Sequence, residues 1–180
     1  MFRYLHKMAA TALLIGMVSA AHGQATTVPI PDQSRTSVLT ATVGEQCRIN
    51  VPATISFAVT NVAVPTASSS VTVAIDTIVL ANATRRLRIL VRAVGINFTP
   101  PVIGDNTWSS ADVSWNAATW SNGLPFAGVL NSVVFVRMAE TLPNVPNTQT
   151  SNLIFTLAGR PTVRRAGNHT LNMTWRVEAF

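Results

Sequence analysis

The sequence predicts an all-β fold, an antiparallel β-sandwich, from three observations. About eight short strand patterns run along the chain, turn signals separate them, and no helical pattern follows the first twenty or so residues. A closed barrel is the alternative arrangement of the same strands. The clearest pattern lies in residues 169–180, where apolar and polar side chains alternate. One face of this last strand is therefore expected to be buried: His169, Leu171, Met173, Trp175, Val177 and Ala179.

The first 23 residues have the pattern of a secretory signal peptide. Arg3 and Lys7 precede a short apolar run, and small residues around Ala21 and Gly23 suit cleavage after either. The apolar run is shorter than the ~20 residues that span a bilayer. We therefore expect an exported protein, placed between the periplasm and the cell surface or outside the cell, with no membrane segment after cleavage.

Residues 24–46 are predicted to be an N-terminal extension before the domain at 47–180. The stretch 24–34 is polar and carries two prolines, which favours an extended conformation. Residues 38–43 then alternate, with Leu39, Ala41 and Val43 on one side, and Gly44 ends the pattern. This segment is a strand hypothesis with two open outcomes: pairing within its own domain or with a neighbouring molecule.

The strand patterns of the domain follow in order, each ended by turn residues. The final strand is entered through the turn Gly167-Asn168. The arginines of the pattern at 86–94 fall on its polar face, so that face should be exposed. The predicted strands are 47–51, 55–59, 70–80, 86–94, 113–115, 133–138, 153–157 and the last run.

Charge and cysteine content argue against several functions. The chain has 13 Lys and Arg against 7 Asp and Glu, and loss of Arg3 and Lys7 with the signal peptide leaves 11 bases and a net charge of +4. Arginine is spread over several segments, which indicates a solvated surface and no nucleic-acid site. Cys47 is the single cysteine and has no partner for an internal disulfide. We interpret it as a small buried residue; a reactive thiol or an intermolecular bridge is the alternative.

No catalytic, cofactor or metal-binding constellation is recognisable, so we expect no enzyme and no cofactor. Asp105 and Asp112 lie near the tryptophans and are the remote hypothesis of a hydrolase carboxylate pair. Trp108, Trp115 and Trp120 are expected to close one end of the core, but their rings could instead form an exposed platform for a glycan or protein partner. A secreted carbohydrate-binding or adhesin module is therefore the alternative function.

Two stretches resemble the spore coat protein U family, the pilin-like domains of archaic chaperone–usher fimbriae. The first is Cys47-Arg-Ile-Asn-Val-Pro-Ala-Thr-Ile-Ser-Phe57, followed after a loop by Ser-Ser-Ser-Val-Thr-Val73. The second is the Ala166-Gly-Asn-His-Thr170 entry to the last strand. The sequence departs from the family pattern in lacking a second cysteine near Ala74 and in having His169 where tyrosine is usual.

The resemblance implies an immunoglobulin-like sandwich that lacks one strand. In such fibres the N-terminal extension of a neighbour fills the open groove as an added strand. The expected partners are then copies of the chain or related subunits, with a periplasmic chaperone before assembly. The donor residues implied here are Leu39, Ala41 and Val43, with Val28 and Ile30 as the second choice. The function implied is a structural subunit of a surface fimbria or coat.

Overall fold

The computed structural model describes residues 38–117, 120–145 and 148–180. The chain divides into two units, Met1–Ala41 and Thr42–Phe180, and the architecture below is that of the second. The predicted signal peptide and the second-choice donor residues Val28 and Ile30 lie outside the described residues. Within the described ranges, no helix has the length and apolar character needed to cross a membrane.

The fold is all-β with antiparallel sheets, as the sequence predicts. The described residues contain one 3₁₀ turn, Ser110–Asp112, and no α-helix. The strands are β1 (Gln46–Asn50), β2 (Thr66–Ala67), β3 (Val71–Val79), β4 (Leu87–Ala93), β5 (Val113–Trp115), β6 (Gly123–Pro125), β7 (Gly128–Val129), β8 (Val136–Thr141), β9 (Thr148–Leu153), β10 (Phe155–Leu157) and β11 (Met173–Ala179).

The strands form two layers that resemble a β-sandwich. One layer has the order β11-β4-β8-β6. The other contains two ladders, β1-β3-β9 and β2-β10-β5-β7, which continue into each other because a single residue, Ile154, separates β9 from β10. The terminal strands are β11 and β6 in the first layer. In the second they are β1, β2 and β7, with β9 ending its ladder where it continues into β10.

The core lies where the alternating patterns predict it. Val73 and Ile75 of β3 are fully buried, and so is Val91 of β4. Leu153, Phe155 and Leu157 also point inward, as predicted, although they belong to two successive strands. Arg88 and Arg92 lie on the opposite, partly exposed face of β4. Alternation identified these faces because one side of each strand meets the other layer and the other side meets solvent.

Four strand predictions need correction. The pattern predicted at 133–138 is a strand displaced toward the C-terminus, Val136–Thr141. Residues 38–45 are exposed and form no strand in the single chain. Residues 55–59 form no strand either, although Ile55, Phe57 and Val59 are partly buried and their neighbours are exposed. The last strand begins at Met173 instead of His169, and its apolar face is only half-buried.

Candidate functional site

A long open groove of about 1140 Å³ runs along the second unit. Its floor consists of side chains that belong to the hydrophobic core. Phe155 and Leu157 of β10 are 1% and 3% exposed, and Val113 of β5 is 5% exposed. The hydrophobic core therefore borders the groove directly. A fully apolar floor is typical of a site that receives apolar side chains.

The first wall of the groove is the segment 52–59, which follows β1. Ile55, Phe57 and Val59 face the core and are half-buried, while Ser56 and Ala58 are exposed. Among the described residues, no backbone hydrogen bond joins this segment to a neighbouring segment. The segment thus has the side-chain alternation of a strand without the ladder that defines one, because no chain lies beside it to accept and donate the hydrogen bonds.

The second wall is formed by residues 163–173 and the start of β11. Leu171, Met173 and Trp175 line the groove and are half-buried. β11 pairs with β4 along one edge, in register from Met173 opposite Ala93 to Ala179 opposite Leu87. Its other edge has no strand partner in the part of the chain that the structure describes. The half-buried face of β11 therefore has the same cause as the missing ladder at 55–59: both border the open groove.

Polar contacts fix one end of the groove. The ring of His169 shares a 2.8 Å hydrogen bond between Nδ1 and Thr107 Oγ1, and its Nε2 lies 3.1 Å from the carbonyl oxygen of Arg165. The same ring stands edge-on to Trp108, with centroids 5.1 Å apart. This arrangement holds the turn before β11 against the core.

The N-terminal extension is tied to the domain at its last residues. Glu45 accepts two hydrogen bonds from Arg85, from Nε and Nη2, each 3.0 Å long, and one of 2.9 Å from the backbone N–H of Ala81. The Arg85 guanidinium, with the Ala81 amide, lowers the pKa of the Glu45 carboxyl to about 2. Glu45 is therefore ionised at neutral pH and anchors the segment immediately before β1.

The three predicted donor residues are all exposed in the single chain. Leu39 is 96% exposed and Val43 is 70% exposed, and Ala41 between them is exposed as well. Leu39 and Ala41 belong to the first unit and Val43 to the second. The single chain therefore leaves this apolar face uncovered.

The tryptophans are core residues. Trp108, Trp115 and Trp120 are 4%, 2% and 6% exposed. The indole N–H of Trp108 donates to the carbonyl of Ala158, and that of Trp115 donates to the carbonyl of Phe126, both at 2.9 Å. This burial confirms the core interpretation, and the three rings form no exposed stacking platform in the single chain.

Each of the two aspartates of the hydrolase hypothesis forms an ion pair with an arginine. Asp105 binds Arg165 at 2.8 Å and Asp112 binds Arg160 at 2.6 Å. Burial opposes ionisation of Asp112, but hydrogen bonds from the backbone and side chain of Ser109 and from Arg160 outweigh it and lower its pKa. Both carboxylates serve structural ion pairs, and no group of three metal-ligating side chains occurs among the described residues.

Cys47 lies on the inner face of β1, as its alternation with Ile49 predicts, and it is half-buried. Burial, and to a smaller extent the charge of Asp76, raises the pKa of its thiol. A raised pKa leaves less thiolate at neutral pH, which favours the packing role over a reactive one.

The groove is the feature that sequence reasoning did not place. The stretches that line it, 55–59 and the first half of the last strand, do show alternation in the sequence. That alternation predicted ordinary buried strands at both places. No family model, no curated protein and no solved structure matches this chain.

Proposed function

We propose that the chain is an exported structural subunit of a surface fimbria or coat, with an incomplete immunoglobulin-like sandwich that a neighbouring copy completes. The segment around Leu39, Ala41 and Val43 of one copy lies in the groove of the next as an added strand. The observation that carries the proposal is the groove itself. Its floor is hydrophobic core, and its two walls are a segment without a ladder and a free strand edge.

The chemistry of strand addition suits both partners. An added strand supplies backbone hydrogen bonds to the free edge of β11 and places alternate side chains on the apolar floor. The donor segment alternates with the required period of two, because Leu39, Ala41 and Val43 fall on one face and Thr40 and Thr42 on the other. The polar face would then point to solvent.

Strand exchange of this kind is heterologous, since the donating segment and the accepting groove are different surfaces of the chain. A heterologous contact that does not close into a ring grows into a filament. A subunit with both surfaces is therefore suited to a fibre or an extended coat, and needs no catalytic group.

The test is the assembly state of the chain from residue 24 onward, measured by light scattering over a range of concentrations. We expect the average mass of the assemblies to rise with protein concentration, and this rise to be lost in the double variant Leu39→Asp/Val43→Asp. The matched control is Thr40→Asp/Thr42→Asp, which adds the same charge to the same segment on the opposite face and should still assemble. A wild-type chain that stays monomeric at every concentration would contradict the proposal, as would equal loss of assembly in both double variants.

A further inference from the structure

The outer face of the layer β11-β4-β8-β6 collects arginines from distant parts of the sequence. On β4, Arg88 and Arg92 alternate with inward Ile89 and Val91. β11 contributes Arg176 and β8 contributes Arg137, and both side chains are exposed. Arg86, just before β4, completes the set, which we call the arginine face: Arg86, Arg88, Arg92, Arg137 and Arg176.

Strand register places these residues close together. Leu90 of β4 stands opposite Arg137 of β8 on one side and Arg176 of β11 on the other. The neighbouring position on the same face, Arg88, stands opposite Glu140 and Glu178. Adjacent strands lie ~4.8 Å apart, so the guanidinium groups form a continuous band across three strands instead of isolated charges.

Phenylalanine rings hold all five of these guanidinium groups in place. Arg86 and Arg88 lie 4.6 and 4.1 Å from the ring centroid of Phe180. Arg92 and Arg176 share the ring of Phe135, at 4.8 and 5.3 Å.

Arg137 lies 3.7 Å from the ring centroid of Phe126. A guanidinium that stacks on a ring keeps its N–H edge available for a planar anion, because the ring takes only its flat face. The stacking therefore orders the arginines without neutralising them.

The positive charge of the described domain is concentrated on this face. Elsewhere in the described residues, four of the five arginines each pair with one acid: Arg48 with Asp76, Arg85 with Glu45, Arg160 with Asp112 and Arg165 with Asp105. The fifth, Arg164, is exposed and lines the groove.

The arginine face has five bases against two acids, Glu140 and Glu178. Arg137 pairs with Glu140, while Arg88 and Arg176 share Glu178. No carboxylate within the described part of the chain pairs with Arg86 or Arg92. The face thus keeps a surplus of positive charge, and every acid described elsewhere is already engaged, so the described part of a second copy offers no unpaired acid to cover it.

We propose that the arginine face binds an anionic polysaccharide through its carboxylate or sulfate groups. A flat band of guanidinium groups over three strands contacts a charged polymer along its length, whereas a small anion would meet one or two of them. Single-stranded nucleic acid fits less well, because it relies on free aromatic rings for base stacking. Here the rings of Phe126, Phe135 and Phe180 are occupied by guanidinium groups, and the core tryptophans are buried.

The test measures binding of the chain from residue 24 to heparin, to polygalacturonate, to uncharged dextran and to single-stranded DNA at equal ionic strength. We expect binding to one or both acidic polysaccharides and none to dextran. The triple variant Arg92→Gln/Arg137→Gln/Arg176→Gln should weaken polysaccharide binding by about 10-fold or more, since each lost guanidinium removes a charge-assisted hydrogen bond.

The matched control removes the same charge away from the face: Arg48→Gln/Arg160→Gln/Arg165→Gln. It should bind within about 3-fold of the parent chain, because its three arginines lie outside the arginine face and each pairs with an acid there. Equal weakening in both triple variants would show attraction by net charge alone and overturn the proposal. Tighter binding of DNA than of both polysaccharides, or no binding to either polysaccharide, would also overturn it. If the face variant melts early, the single variants Arg92→Gln and Arg176→Gln replace it. This proposal does not depend on strand addition, which the Leu39→Asp/Val43→Asp variant removes separately.

Discussion

A synthetic peptide with the sequence of residues 36–45 should bind the groove of a chain whose own donor segment is disabled. The receptor is the chain from residue 24 with Leu39→Asp and Val43→Asp, so that the groove is free. The peptide retains Leu39 and Val43, which are 96% and 70% exposed before binding. Burial of each in the apolar floor contributes about 1.5–3 kcal/mol, and each backbone hydrogen bond to the edge of β11 adds about 1 kcal/mol.

The absolute Kd depends on the free-energy cost of association. The difference in binding free energy between two peptides of equal length does not, because that cost cancels. A peptide with Leu39→Asp loses the ~1.5–3 kcal/mol of leucine burial, which corresponds to between about 10-fold and 100-fold in Kd. A peptide with Thr40→Asp carries the same charge on the solvent face and should bind within about 3-fold of the parent, as surface changes usually do.

Thermal unfolding is a suitable assay, because a ligand that binds only the folded state raises its stability. At a peptide concentration about 100 times its Kd the gain is ~2.7 kcal/mol, or about 10 °C in Tm for a domain of this size. The reasoning fails if the Leu39→Asp and Thr40→Asp peptides give equal shifts, since the two faces of the segment would then be equivalent. It also fails if the parent peptide gives no shift at any concentration.

Three further predictions concern the stability of the domain. Gly128→Ala places a Cβ 2.5 Å from the buried ring of Trp115 and should lower the free energy of unfolding by about 1–3 kcal/mol. The control Gly44→Ala, whose Cβ would meet no atom within 4 Å, should change that free energy little. Denaturant titration compares the two variants. Phe155→Ala removes a ring that is 1% exposed and should lower the same free energy by about 3–5 kcal/mol; retention of full stability would contradict its place in the core. The pKa of Asp112 is lowered in the folded state from the ordinary carboxyl pKa of 3.8. The stabilisation of the fold by its carboxylate is therefore complete above the ordinary pKa and is lost as the pH falls through the lower pKa of the folded state. Asp112→Asn should therefore flatten the fall of Tm on that acid side, and an unchanged pH profile would contradict the role of its ion pair.

Strand alternation predicted which residues are buried at the centre of the fold. Burial there depends only on which face of its own strand a residue occupies. β3 and β4 sit between other strands, so a period of two is enough to separate inward from outward residues. The arginines of β4 were placed on the exposed face for the same reason. Their partners on that face could not be inferred, because Arg137 and Arg176 reach it through the register of strands far apart in sequence.

The same alternation failed at the groove for an instructive reason. Ile55, Phe57 and Val59 have the side-chain pattern of a strand, but a strand also requires a hydrogen-bonding neighbour, and the described chain supplies none there. For the tryptophans, the sequence left open whether they belong to the core or to a ligand-binding surface. A large amphipathic ring suits both a core and a ligand platform, and only the positions of Ala158 and Phe126, whose carbonyls accept two of the indole protons, decide for the core.

The edges of the two layers differ in a way that favours strand addition at one side only. On one side the edge strands are short: β6 has three residues and ends in Pro125, and β7 has two. Short edges and proline are the usual protection against pairing with another chain. On the groove side the edge strand is β11, which has seven residues and no proline. A chain that protects β6 and β7 and leaves β11 unprotected beside an apolar groove gains nothing as a monomer, because that side then promotes unspecific association. The asymmetry is explained if a strand from a neighbouring copy closes this side, and Leu39, Ala41 and Val43 form the exposed apolar segment that has the matching period.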